Sequence, residues 1–178
     1  MVFIETQRLI LSPLEEVLVS EKYTAWFNDD KVCEYNSHRR FPYLTSQNIA
    51  YVNSLVGNKE AIVLAVIEKD TKKHIGNVSL QNINYIDRNA ELAFVFGDVE
   101  TWGKGYATEA GLAMIDHAFH QLNLHRIYLG TSEQNTGMQK VAEKLGLKKE
   151  GIRVHAIYKN GAYHNIVEYG LVRDGDGQ

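Results

Sequence analysis

Apolar and polar positions change period along this chain, and the changes mark its elements. Arg8-Leu9-Ile10-Leu11 is an apolar run stopped by Pro13, which reads as a strand. Residues 14–27 and 45–56 switch to helical spacing. Leu14, Val17 and Leu18 recur three or four apart, as do Ile49, Val52, Leu55 and Val56, and Thr45 or Ser46 is placed to cap the second helix. Ala61 to Ile67 is continuous and rich in β-branched residues, a buried strand. After the polar turn from Asp70 to His74, Ile75 to Leu80 returns as its antiparallel partner. Ala90 to Phe96 alternates, with Leu92, Phe94 and Phe96 on one face and Glu91, Ala93 and Val95 on the other.

The second half reads as a helix from about Ala107 to Leu122 and a strand from Arg126 to Leu129, followed by a short helix. Leu112, Ile115, Phe119 and Leu122 form the apolar stripe of the long helix, and Glu109 lies in its first turn, where the helix dipole favours a carboxylate. Asn135 heads the short helix, which carries Met138, Val141, Ala142 and Leu145 and stops at Gly146. Strands at 152–158 and 163–171 flank the turn Lys159-Asn160-Gly161. Hairpins come first and a strand–helix–strand crossover later, which gives an α+β fold with a mixed sheet rather than a doubly wound one.

The 178 residues, 44 % hydrophobic and 23 % charged, suit one globular domain over 1–178, and no repeat or linker divides them. No run approaches the roughly 20 apolar residues of a membrane span, and the start, Met1 to Glu5, lacks a signal-peptide layout. The one cysteine, Cys33, cannot form an internal disulfide, stands among Lys31, Val32, Glu34 and Tyr35, and reads as a passive thiol in a reducing cytoplasm. No zinc pattern is present. A net charge of −3 without a basic run argues against a nucleic-acid partner. The densest basic spot, His38-Arg39-Arg40, reads as either a solvated loop or a substrate-facing one.

The most informative stretch is Glu100 to Glu109, between a strand and the long helix. Gly103 and Gly105 remove side chains, so backbone N–H groups can approach a ligand, and the helix start adds unpaired N–H groups and a positive dipole end. Together they suit a diphosphate, with Lys104 adding charge at the edge. Gly-x-Gly alone is a weak signal, and a tight strand-to-helix turn is its simpler explanation. The stretch is neither the dinucleotide pattern, since position 108 is Thr, nor a P-loop.

Trp102-Gly-Lys-Gly-Tyr-Ala-Thr-Glu-Ala110, with Asn135 and then Glu143-Lys-Leu-Gly-Leu147 downstream, resembles the GCN5-related N-acetyltransferase (GNAT) superfamily. The opening, Glu5-Thr-Gln-Arg-Leu-Ile-Leu11, is similar to its branch of ribosomal-protein N-terminal acetyltransferases. The resemblance spans nearly the whole chain and implies a mostly antiparallel central sheet flanked by helices, and acetyl-CoA as cosubstrate with no metal. It also implies that Gly103, Lys104, Gly105, Tyr106, Ala107 and Thr108 hold the pyrophosphate. Val95, Phe96 and Gly97 then pair with the pantetheine arm, and Asn135 contacts the cofactor near its reactive end unless it is simply a helix cap. Gly105 and Ala107 fill the last fixed positions of the family's phosphate motif, whereas Trp102 stands where Gln or Arg is usual.

Amine acetylation needs a proton acceptor, because the substrate arrives as an ammonium. Glu91-Leu-Ala-Phe resembles the strand of the histone-acetyltransferase branch that carries the general base, which makes Glu91 the candidate; the alternative is an edge glutamate facing solvent. By that resemblance Gly130 fills the position of the glutamate that serves as base in the ribosomal-protein branch and Ala142 that of the family's tyrosine acid, so a proton for the thiolate would come from water, Ser132 or another tyrosine, or be unnecessary. The segment from Trp26 to Phe41 resembles members associated with sugar-amine acetylation, or else simply sends Trp26, Tyr35 and Phe41 into the core. Tyr85 and Tyr163 read as either structural or functional. The sequence thus points to an N-acetyltransferase acting on a primary amine, an amino sugar or nucleotide-linked amino sugar. A peptide N-terminus or a polyamine as acceptor, a non-catalytic acyl-CoA-binding module, and a homodimer partner all stay open.

Overall fold

The computed structural model describes residues 1–173, so positions 174–178 of the expected domain lie outside it. Eight strands form one sheet: β1 (Ile4–Glu5), β2 (Leu9–Pro13), β3 (Ile62–Glu68), β4 (His74–Asn84), β5 (Asn89–Val95), β6 (Arg126–Ser132), β7 (Lys148–Lys159) and β8 (Ala162–Val172), in the order β1-β2-β3-β4-β5-β6-β8-β7. Every neighbouring pair is antiparallel except β5 and β6. The four helices are α1 (Glu21–Trp26), α2 (Thr45–Ser54), α3 (Tyr106–His120) and α4 (Thr136–Lys144). Helix α3 is the crossover between the parallel strands.

The helices divide between the two faces. On one face, Ala110, Met114, Ala118, Ala142 and Leu145 of α3 and α4 pack on Leu11, Val66, Val78, Leu92 and Ile127. On the other, Tyr23, Trp26, Phe27 and Val52 of the α1–α2 region pack on Val63 and Ala65. The alternation read along β5 holds: Leu92 and Phe94 face the first core and Val95 the second.

Local chemistry moved some boundaries. The helix expected over 14–27 is a 3-10 turn at Glu16–Leu18 followed by α1, because the Ser20 hydroxyl accepts the Tyr23 N–H and caps a new helix; Val17 is left exposed. Leu44 rather than Thr45 or Ser46 is the cap residue of α2; its N–H donates to the Gln47 side chain, while the Thr45 hydroxyl accepts from Thr24. Leu112 points outward from α3, whose buried stripe runs through Ala110, Met114, Ile115, Ala118 and Phe119. Strand β7 begins at Lys148, and Asn160 and Gly161, both at positive φ, turn it into β8.

One polar clasp ties the start of the chain to the start of α3. The Glu109 carboxylate accepts from the Thr6 hydroxyl (2.6 Å), the Arg8 N–H (2.7 Å) and the Arg8 Nε (2.7 Å), and Arg8 Nη1 donates to the Lys104 carbonyl (2.8 Å). The Arg8 guanidinium also lies 4.6 Å from the Tyr106 ring centroid. Burial pushes the Glu109 carboxyl up, but the donors of Thr6 and Arg8 outweigh it and hold the group below its ordinary value. A lowered carboxyl stabilises the fold above the unfolded value, and the contribution is lost as pH falls through the folded one. Glu109→Ala is therefore expected to cost about 2 kcal/mol near neutral pH, the scale of a charge-assisted hydrogen-bond set. The deficit, measured by chemical denaturation, should shrink under acid.

Candidate functional site

Gly103 and Gly105 both adopt positive φ, 77° and 83°, so the chain turns sharply into α3 with Gly105 as its N-cap residue. As a result the N–H groups of residues 103–108 make no hydrogen bond among the described residues and gather at the head of the helix. Gly103, Lys104 and Gly105 are exposed, as an anion cradle must be. Tyr106 contributes only its backbone to this surface. Its ring is buried and its hydroxyl donates to Glu68, which raises the phenol's pKa. Trp102 fastens the loop from the other side, its indole Nε1 donating to the Phe96 carbonyl at 2.9 Å.

Strands β5 and β6 pair only from Asn89–Arg126 to Glu91–Tyr128 and then part. Residues 92–95 of β5 keep their β4 partners but have none on the β6 side, so backbone groups of that edge are open to an extended ligand. Val95 and Phe96 lie at the end of this edge. Packing requires glycine at 97: an added Cβ would stand 1.8 Å from an atom of the buried Trp26 indole.

Asn135 is the N-cap of α4, its Oδ1 accepting from the Met138 N–H at 3.1 Å; only its amide NH2 is left for a ligand. Ala142 is wholly buried in the core, Gly130 borders Ile166, and Ser132 is buried with its Oγ accepting from Gln134 N–H. Tyr85 and Tyr163 are exposed, the Tyr85 hydroxyl donating to the Lys59 carbonyl at 2.8 Å.

Glu91 occupies the last paired position before the strands part, half-buried, opposite Gln81 of β4 and Tyr128 of β6. Asn82 Nδ2, brought round by the irregularity at the end of β4, donates to its Oε2 at 3.1 Å. Burial, then the Glu91 charge, raises the Tyr128 pKa and keeps that phenol protonated. Sequence reasoning did not single out Asn82 or Tyr128, since nothing local marks either.

A cavity of about 720 Å³ opens on the α1–α2 face; Ala93 and Gln81, the β4 partner of Glu91, line it, whereas Glu91 itself does not. Its floor is Val63, Asn77, Ser79, Gln81, Ala93 and Val95; its walls are α1, α2 and the 37–43 loop, with Tyr23, Phe27, Tyr43, Tyr51, Gln47 and Asn48 facing in. Among the described residues no carboxylate lines it. Of the basic spot at 38–40, His38 and Arg40 line the cavity, while Arg39 turns away to pair with Asp30. Burial and the nearby Lys159 lower the His38 pKa, and its Nδ1 lies 2.9 Å from the Tyr43 hydroxyl. Tyr23 is pushed up to about 12, burial outweighing its hydrogen bond from Asn77. Phe41, expected as a core alternative, is an exposed rim residue, whereas Trp26 is core. The thiol of Cys33 is buried, directed at the Trp26 carbonyl and raised in pKa by burial, so it is passive.

Among the described residues no group of side chains fits a metal ion, and no helix is long and apolar enough to cross a membrane. The model of the acetyltransferase (GNAT) domain matches residues 8–148. Spermidine N(1)-acetyltransferase of Escherichia coli K12 is 36 % identical over 102 residues, 57 % of this chain and 54 % of that protein, so the chain spans about half the length of that relative. The uncharacterised N-acetyltransferase p20 of Bacillus licheniformis is 30 % identical over 149 residues, 83 % of each chain. Among solved structures, spermidine N-acetyltransferase from Vibrio cholerae in complex with CoA and spermine superposes with a TM-score of 0.84 at 27 % identity, over 94 % of this chain and 96 % of that one. The shared domain, the parted parallel strands and the N–H cradle at the head of α3 agree: this chain belongs to the GNAT acetyltransferase family.

Proposed function

We propose that this chain transfers an acetyl group from acetyl-CoA to the primary amine of an amino sugar or a nucleotide-linked amino sugar. In this reading residues 103–108 receive the pyrophosphate on their free N–H groups, with Lys104 adding charge, and the open edge of β5 through Phe96 receives the pantetheine arm. The Asn135 amide NH2 reaches the cofactor from α4. Bound acetyl-CoA supplies the activated acyl group; everything else the chain does is binding and proton management.

The observation that carries the acceptor assignment is the lining of the cavity. A polyamine such as the E. coli and V. cholerae enzymes' named substrate brings a second ammonium, and burying it without a carboxylate is costly. Here amides, hydroxyls and aromatic rings face the cavity, joined by Arg40 and no acid. Such a lining suits a neutral, hydroxyl-rich ring whose polar groups need donors and acceptors at fixed positions. Arg40 at the rim, its Nη2 on the Tyr158 carbonyl at 3.0 Å, suits a phosphate on that substrate.

Glu91 is the base. Held by Asn82 at the point where β5 and β6 part, it takes the amine proton directly or through one water. Neither Ala142 nor Gly130 can donate or accept a proton, so the leaving thiolate takes its proton from solvent or another side chain, or departs without one.

Two measurements test this. Thiol release from acetyl-CoA, compared across UDP-linked amino sugars, spermidine and an N-terminal peptide, should favour the sugar amine; a preference for spermidine contradicts the acceptor assignment. Glu91→Gln should keep acetyl-CoA affinity while turnover falls by about 10²–10⁴-fold. That loss should narrow as pH rises and more amine arrives deprotonated. Parent-like turnover near neutral pH would remove Glu91 from the mechanism.

A further inference from the structure

Several polar groups that line the cavity are already engaged within the protein. Asn77 Nδ2 donates to the Tyr23 hydroxyl at 3.1 Å, and Asn77 Oδ1 lies 2.9 Å from His74 Nε2. His38 Nδ1 meets the Tyr43 hydroxyl, and Gln47 Oε1 accepts from the Leu44 N–H. Two deeply buried oxygens are not engaged. Ser79 is 7 % exposed, and its hydroxyl makes no hydrogen bond among the described residues. Asn48 is 5 % exposed; its Nδ2 donates to the Thr24 hydroxyl at 3.1 Å, but its Oδ1 accepts nothing. Among the described residues no side-chain nitrogen or oxygen sealed from solvent lacks a partner. Both free oxygens are therefore open to the cavity that their residues line.

Packing does not account for a serine at 79. Its ladder neighbours are Val63 of β3 and Ala93 of β5, and neither side chain can bond a hydroxyl. A hydroxyl buried beside such neighbours is a cost to the fold unless something else bonds it. Its position gives it a use. Ala93 belongs to the stretch of β5 that is open on the β6 side. Glu91, two residues back on the same face, is the diagonal neighbour of Ser79, roughly 7–8 Å away across the ladder. Asn48 belongs to the α2 wall of the same cavity.

We infer that Ser79 and Asn48 read the acceptor: the Ser79 hydroxyl on the floor and the Asn48 Oδ1 on the wall hydrogen-bond hydroxyl groups of the amino sugar and seat its amine toward Glu91. This deepens the acceptor reading above and rests on it. A sugar hydroxyl both donates and accepts, so it satisfies the serine in either role and donates to the Asn48 oxygen. An amine without hydroxyls leaves both buried oxygens unbonded, and a site built in this way rejects it by more than poor fit.

The test compares parent, Ser79→Ala and Asn48→Ala in thiol release with the UDP-linked amino sugar that the parent acetylates best, in acetyl-CoA affinity by calorimetry and in chemical denaturation. Ser79→Ala should raise the acceptor KM by about 3–10-fold, the worth of one hydrogen bond, with kcat and acetyl-CoA affinity near the parent level. Its denaturation midpoint should hold or rise, because the fold loses a buried hydroxyl that nothing in the protein bonds. A serine that served only the fold would show the reverse, a parent-like KM with a lower midpoint. Asn48→Ala should raise KM by a similar factor but lower the midpoint, since it also gives up the bond to Thr24. An unchanged KM in Ser79→Ala overturns the assignment of Ser79, and an unchanged KM in Asn48→Ala that of Asn48, with the acceptor reading left standing. A parent that binds acetyl-CoA but acetylates no UDP-linked amino sugar overturns the acceptor reading, and this inference with it.

Discussion

The site depends on one departure from regular structure: two parallel strands that pair for three residues and then diverge. A parallel pair needs a crossover, and here α3 supplies it. Because β5 stays bonded to β4 while β6 stays bonded to β8, both strands are held by their outer neighbours, and the gap between them does not collapse. An unpaired strand edge is ordinarily a liability. Inside this sheet it is protected on both sides and faces a cavity, which makes it a template for an extended ligand.

Two sets of contacts keep that gap in register with the N–H cradle. Trp102 fastens the loop to the end of β5 through the Phe96 carbonyl, and Arg8 fastens it to the start of the chain through Lys104 and Glu109. The cradle is thus fixed at both ends by side chains, and its N–H groups are left without internal partners. Preorganised donors of this kind need little rearrangement on binding, so more of their interaction energy appears as affinity.

Much of this was legible along the chain. The β-branched run at 62–67, the alternation through 90–96 and the Asn-Gly turn at 160–161 are local signals, and each became the element it indicated. The glycine pair at 103 and 105 likewise marks a bend that only positive φ allows. What escaped sequence reading is long-range. Arg8 and Glu109 are 101 positions apart, and Glu168 meets Gly130 only because β8 lies between β6 and β7. No periodicity records such pairings. Val17 and Leu112 show the converse failure: both fit an apolar helical stripe, yet Ser20 starts a new helix after one, and the other turns away from the sheet. The split of His38-Arg39-Arg40, with Arg39 drawn off by Asp30, could be decided only once the cavity wall was in view.

One ligand is expected to occupy both the cradle at the head of α3 and the open edge of β5. Amide-resolved NMR of the isotope-labelled protein, recorded as acetyl-CoA is added, tests it without reference to any acceptor. The largest shifts are expected at the N–H groups of residues 103–108 and, separately, along 92–96, with smaller changes across α1 and α2. Shifts concentrated elsewhere, or confined to one of the two segments at saturation, would contradict it.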